Sequence, residues 1–225
     1  MVKVVVLGAH GQVAQIAERF LFADKEVQPS LFLRNAKRME DKKNQATIFE
    51  GSATDAAQLE KAMKGQDIVY ANLGGKDDID LEAEAVIEAM KNACVKRLIW
   101  ISTLGIYDEV PGKFGEWNKE TLGDYITEYA KAAKRIEESG LDYTIIRPTW
   151  MDNKDEVDYE KSKKGEPIKD TEVSRKSVAA YVYHLIKNPK EDVGESIGLG
   201  KPGTEGDGIK NVDHFNEKRP KIPVF

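Results

Sequence analysis

The chain has 225 residues, with 34 Lys and Arg against 39 Asp and Glu for a net charge of −5; that length suits one domain or slightly more, and the charge excludes the basic face of an electrostatic nucleic-acid binder. One cysteine, Cys94, excludes an internal disulfide framework or a cysteine-held zinc, and three scattered histidines (His10, His184, His214) give no reason to expect a metal. No apolar run reaches the roughly 18 residues of a membrane helix and residues 2–7 are too short for a signal sequence, so the expectation is a cytoplasmic monomer or homodimer that takes a small-molecule substrate, with no nucleic-acid or membrane partner.

Residues 2–7 are apolar except for Lys3, the pattern of a parallel strand buried on both faces. After Gly8-Ala9-His10-Gly11, the residues Val13, Ile16, Ala17, Phe20 and Leu21 recur at helical spacing. Residues 27–33 read as a second strand, with Pro29 tolerable near its start, and 47–49 as a third. Thr54 is placed to cap a helix that carries Leu59 and Met63 and stops at Gly65. Residues 67–73 predict a fourth strand, 81–93 a helix and 97–102 a fifth strand. A single helix is predicted over 119–139, ending at Gly140, and a sixth strand over 141–147. Six strand–helix repeats in residues 1–150 predict an α/β fold: a doubly wound parallel sheet of Rossmann type. Beyond Pro148 the pattern loosens. Residues 151–170 read as a loop or short lid, Val178, Val182, Leu185 and Ile186 mark one more helix, and 196–199 could form a last strand. Residues 151–225 are therefore expected to be a small C-terminal cap in the same domain, closing over the carboxyl edge of the sheet.

Strand, Gly8-x-x-Gly11-x-x-Ala14, helix is the central motif. Gly8 suits a tight turn, Gly11 lets backbone approach a pyrophosphate, and Ala14 lets helix and strand pack closely. The helix N-terminus then offers free N–H groups and a positive dipole end to phosphates. A plain strand-to-helix turn is the alternative, and the flanking elements favour the dinucleotide site. His10 has no acid–base partner near it in sequence and reads as a backbone contributor to this loop. The second strand ends at Arg34-Asn35, followed by Lys37 and Arg38. An acidic residue here would bind a ribose 2′-hydroxyl, whereas a guanidinium suits a 2′-phosphate, so NADP is expected, with NAD as the alternative.

These residues resemble the atypical short-chain dehydrogenase/reductases of the NmrA-like or NAD(P)H-binding type. The segment 8–14 is similar to the family's GAxGxxG/A loop, Leu33-Arg34-Asn35 to its VRN/VRD strand end, residues 139–148 (SGLDYTIIRP) to its SGLDYTIVRP segment, and 173–179 to its ISRxDVA helix start. The resemblance implies that Gly8, His10, Gly11, Gln12 and Val13 hold the pyrophosphate and that Arg34 and Asn35 hold the adenosine phosphate. Ser52 and Ala53 stand where the family's Gly-Asp pair approaches adenine. Asn72, Leu73 and Gly74 would line the nicotinamide ribose, and Pro148 and Thr149 the nicotinamide.

In the wider superfamily a Tyr donates a proton to the developing alkoxide, a Lys lowers the Tyr pKa, and a Ser or Thr positions the carbonyl. Thr103, after Ser102, fits the last position, and Tyr129 fits the Tyr. Four residues on from Tyr129 stands Ala133; Lys134, one residue further and turned by about 100°, is the candidate for the Lys. Tyr129 also shares a helical stripe with Leu122, Ile126, Ala133 and Ile136, so core packing is as good a reading. Tyr107, Phe114, Trp117 and Trp150 fall after strand ends, where they either stack on a planar acceptor or fill space. The expectation is an NAD(P)H-dependent oxidoreductase reducing a small acceptor (a flavin, quinone or carbonyl compound). The alternative is a non-catalytic NAD(P)-binding sensor, with a sugar-nucleotide epimerase or dehydratase third.

Overall fold

Alternation along the first strand sets the layers. In the computed structural model, which describes residues 1–75 and 77–209, β1 (Val2–Leu7) is central: Val5 and Leu7 face one apolar layer, Val4 and Val6 the other, all fully buried. Such two-sided burial belongs to a parallel sheet covered by helices on both faces. Its neighbours are β2 (Val27–Leu33), β3 (Thr47–Glu50), β4 (Ile68–Ala71), β5 (Arg97–Ile101) and β6 (Asp142–Pro148). The helices are α1 (Gln12–Ala23), α2 (Ala56–Met63), α3 (Ile79–Asn92), α4 (Gly112–Leu122) and α5 (Asp124–Glu137). After β6 come β7 (Trp150–Asp152), β8 (Glu160–Ser162), β9 (Glu172–Ser174), α6 (Arg175–Lys187) and β10 (Glu195–Gly200).

The main sheet runs β3-β2-β1-β4-β5-β6-β10-β8 and is parallel except for β8; β7 and β9 pair separately. Buried side chains of α2, α3 and α5 pack on one face and those of α1 and α6 on the other. The protein is therefore α/β with a Rossmann-type sheet. Chain order reverses between β1 and β4, which opens the crevice at their carboxyl ends where such sheets bind ligands.

Three local expectations change. Gly123, at φ 48° and ψ −123°, divides the helix predicted over 119–139 into α4 and α5, because only glycine adopts that backbone without strain. Asp55, not Thr54, caps α2, its carboxylate accepting from the Gln58 N–H at 3.0 Å. Finally, part of the segment expected to cap the sheet extends it. Ile197 and Leu199 of β10 and Val178, Val182, Leu185 and Ile186 of α6 join the same buried layer as α1, and β10 pairs in parallel with β6. Gly198 and Gly200 permit this, since a Cβ at either would meet the Ile168 or Asp170 side chain. His214 lies outside the described residues. Among those described, no helix is long and apolar enough to cross a membrane, and no cluster of His, Cys, Asp or Glu has the makings of a metal site.

Candidate functional site

A cleft of about 200 Å³ opens at the carboxyl ends of β1 to β4. Gly8, His10 and Gly11 from the first loop line it, with Arg34 and Asn35 from the end of β2 and Ala53, Leu73 and Gly74 from the ends of β3 and β4. Phe32, Leu33, Arg38, Gly51 and Glu82 complete the lining. Gln12 and Val13 open α1 beside this loop, outside the lining itself. Ser52 also lies outside it, its hydroxyl 2.8 Å from that of Thr54.

Local geometry explains the loop. Gly8 has φ 69°, and a Cβ there would collide with the carbonyl oxygen of Asn72. The Gly11 N–H donates back to the Gly8 carbonyl at 2.8 Å, closing the turn. Helix α1 then begins with neither a side-chain cap nor an acidic residue in its first turn, so its N–H groups and positive dipole end remain available to an anion. Burial and the neighbouring Arg38 hold the His10 pKa below its usual value, leaving a neutral ring at the cleft. Arg34 and Arg38 are exposed and make no ion pair among the described residues. Asn35 turns its side-chain oxygen to the Lys37 N–H at 3.2 Å, fixing the turn that presents the two arginines.

The adjoining strand ends hold a second feature. Asn72 Nδ2 after β4, Ser102 Oγ after β5 and Thr149 Oγ1 after β6 are buried and have no hydrogen-bond partner among the described residues. Buried polar atoms are nearly always satisfied, and here three adjacent strands each present one orphan at the same edge. Asn72 is fixed by the Tyr70 hydroxyl, which donates to its Oδ1 at 3.2 Å. Pro148 ends β6 beside Thr149, whose N–H donates to the Leu199 carbonyl at 2.9 Å. Thr103 is buried next to Ser102. The loop that follows is anchored from within: the Glu109 carboxylate accepts from the Gly105 and Tyr107 N–H groups at 3.0 and 2.8 Å and pairs with fully buried Arg147 at 2.5 Å.

The structure does not assemble the predicted proton-donor pair. Tyr129 is buried, stacked on Tyr125 with ring centres 4.4 Å apart and hydroxyls at 2.7 Å. Burial, chiefly, holds its pKa well above normal, and its remaining backbone partner is Gly75, in the loop after β4. Lys134 is on the solvent side of α5, 74% exposed and 3.9 Å from Glu138. One residue of helix rotation carries its ammonium off the face that Tyr129 and Ala133 bury. Of the aromatics, Phe114 stacks on Trp117 with ring centres 6.0 Å apart, and Trp117 meets Trp150 at 4.8 Å with the rings tilted. Tyr107 lies over Arg147 and donates to Glu137 at 2.6 Å.

Residues 8–189 match the model of a family described as NAD(P)H-binding. A Rossmann-fold NAD(P)-binding family protein from Shigella flexneri is 40% identical, with a TM-score of 0.81 over 92% of this chain and 97% of that one. A short-chain dehydrogenase/reductase from Veillonella parvula DSM 2008, solved in complex with NADP, is 27% identical, with a TM-score of 0.85 over 93% and 99%. In Bacillus subtilis, a protein called uncharacterized sugar epimerase YhfK is 32% identical over 169 residues, 67% of this chain and 73% of that one. With a crevice at the β1/β4 switch point, a glycine turn feeding an uncapped helix and a family match over most of its length, this chain belongs to the NAD(P)H-binding family, among the atypical short-chain dehydrogenase/reductases.

Proposed function

We propose that the protein is an NADPH-dependent oxidoreductase whose acceptor is a small conjugated molecule, a flavin, quinone or conjugated carbonyl compound. The orphaned polar atoms of Asn72, Ser102 and Thr149 carry this reading. They follow β4, β5 and β6, next along the sheet edge from the cleft, where the reacting half of a dinucleotide would lie, and a buried unpaired group there costs about 1–3 kcal/mol until a ligand satisfies it. The residues present fit the cofactor. Gly8 to Val13 would hold the pyrophosphate, Arg34 and Arg38 the 2′-phosphate, and Asn72, Ser102 and Thr149 the nicotinamide riboside, beside Leu73, Gly74 and Pro148. When bound, the cofactor supplies a hydride.

Proton delivery favours the conjugated acceptor. Tyr129 is screened by Tyr125, its pKa is raised, and Lys134 points away, so the chain offers no activated tyrosine to protonate a localised alkoxide. An acceptor that spreads its charge can take its proton from water. Thr103 and the Glu109-anchored loop would orient it, and Trp117, 38% exposed beside Trp150, offers a ring face to it. Sugar-nucleotide epimerisation would need a base on the sugar hydroxyl, and the same observations about Tyr129 speak against it. They equally favour a second reading, a cofactor-bound sensor without turnover.

Following near-ultraviolet absorbance of NADPH with a panel of flavins, quinones and aldehydes decides among these. Oxidation with flavins or quinones, undiminished in Tyr129→Phe, is the expected result. Tight binding with no oxidation across the panel supports the sensor, and aldehyde reduction lost in Tyr129→Phe would restore Tyr129 as the proton donor.

A further inference from the structure

Glu82, in the first turn of α3, is the one carboxylate in the lining of the cofactor cleft among the described residues. Its Oε2 is buried and has no hydrogen-bond partner among the described residues. Burial, then Asp78, pushes its pKa up to about 7, while Arg34 draws it back. An acid in a cleft that otherwise offers cations and an uncapped helix end is adverse to a polyanion unless it meets a donor on the ligand.

The lining narrows which donor that is. Gly8, Gly11, Arg34 and Arg38 are groups for phosphate. Phe32, Ala53 and Leu73 are buried and apolar, and offer surfaces for a flat ring. A Cβ on Gly51 would stand 2.8 Å from the Phe32 ring, so that wall holds its shape. Ala53 brings no polar group to it, and Glu82 is the remaining side chain of the lining able to accept a hydrogen bond from a base through a buried oxygen.

We infer that Glu82 reads the adenine of the dinucleotide, its Oε2 accepting a hydrogen bond from the exocyclic amino group of the base. This rests on the NADPH reading above. An acceptor at this point selects an amine: hypoxanthine, with a carbonyl oxygen in the same place, sets two acceptors against each other. A contact to the ribose hydroxyls would not distinguish the two bases, since both nucleotides share the sugar.

Fluorescence titration of NADPH and of its reduced hypoxanthine analogue at about pH 8.5, where Glu82 is ionised and can only accept, tests this by binding alone. The wild-type protein should prefer NADPH by roughly ten-fold, the scale of one hydrogen bond to a charged group. In Glu82→Gln the preference should fall to about two-fold, because the amide can turn an N–H toward the hypoxanthine carbonyl. Glu82→Leu should lose roughly ten-fold on NADPH and bind both nucleotides equally, with an apo unfolding midpoint no lower than wild type. Equal binding of the two nucleotides by the wild type, or equal weakening of both in Glu82→Leu, overturns the assignment while leaving the NADPH reading intact. Failure of the wild type to bind NADPH overturns both.

Discussion

Burial holds two carboxyls near neutrality. Glu18 on α1 is fully buried, pairs with Lys42 at 3.3 Å and keeps its Oε1 without a partner; its pKa, like that of Glu82, is raised to about 7. An unfolded Glu titrates near 4.3, so between about pH 4.5 and 7 the folded chain binds more protons than the unfolded one. The contribution of these two groups to stability is therefore most favourable below that window and falls as pH rises through it. Glu18→Gln should remove part of the slope: relative to wild type it gains about 1–2 kcal/mol at pH 8 over its difference at pH 5. Urea denaturation at the two pH values measures this, and a parallel slope in both proteins contradicts it. Gly8 bears on the cofactor loop. Gly8→Ala forces a Cβ into the Asn72 carbonyl at φ 69°, and the strain, on the order of 1–3 kcal/mol, should appear both as a lower melting temperature and as weakened NADPH binding.

At the scale of elements, legibility followed locality. Apolar runs such as residues 2–7 and 97–102 identified their strands, because a strand buried on both faces writes its burial directly into sequence. Gly8, Gly11, Arg34 and Asn35 were legible for a similar reason: the turn and the strand end are short-range features. Glu82 was not, since its place in the cleft depends on how α3 lies against the ends of β3 and β4, and its acidic neighbours Asp78 and Asp80 disguise it as an ordinary helix start. The orphan at Thr149 was within reach only through the family segment ending at Pro148, with no signal of burial. The break at Gly123 was hidden by helix formers on both sides; β10 was legible as a strand over 196–199, but its place beside β6 was not, since that depends on glycines that matter only because Ile168 and Asp170 press against them. Elements joined by buried charge should be sensitive to losing one partner. Glu109→Ala leaves Arg147 buried without its carboxylate and frees the Gly105 and Tyr107 N–H groups, so a loss of about 3 kcal/mol is expected in denaturant unfolding. A change under about 0.5 kcal/mol would show that the loop is held otherwise.

Across the whole molecule, the net charge of −5 conceals a cationic corner at Arg34, Lys37 and Arg38, beside the end of the cleft where a 2′-phosphate would sit. The sheet organises everything else around it: the switch between β1 and β4 opens the crevice, and Ser102 and Thr149 follow β5 and β6 at the same edge of the sheet. A ligand that binds only the folded state stabilises it by about 2.7 kcal/mol at one hundred times its Kd. Selection of a phosphorylated dinucleotide by this corner is the central claim, and the most direct measurement is a titration of the wild type and Arg34→Ala with NADPH and NADH, read by the thermal midpoint and by fluorescence. The wild type should bind NADPH at least ten-fold more tightly than NADH, and Arg34→Ala should lose most of that preference by weakening NADPH alone. Equal affinity for the two nucleotides in the wild type, or an Arg34→Ala variant that keeps the full preference, would contradict it.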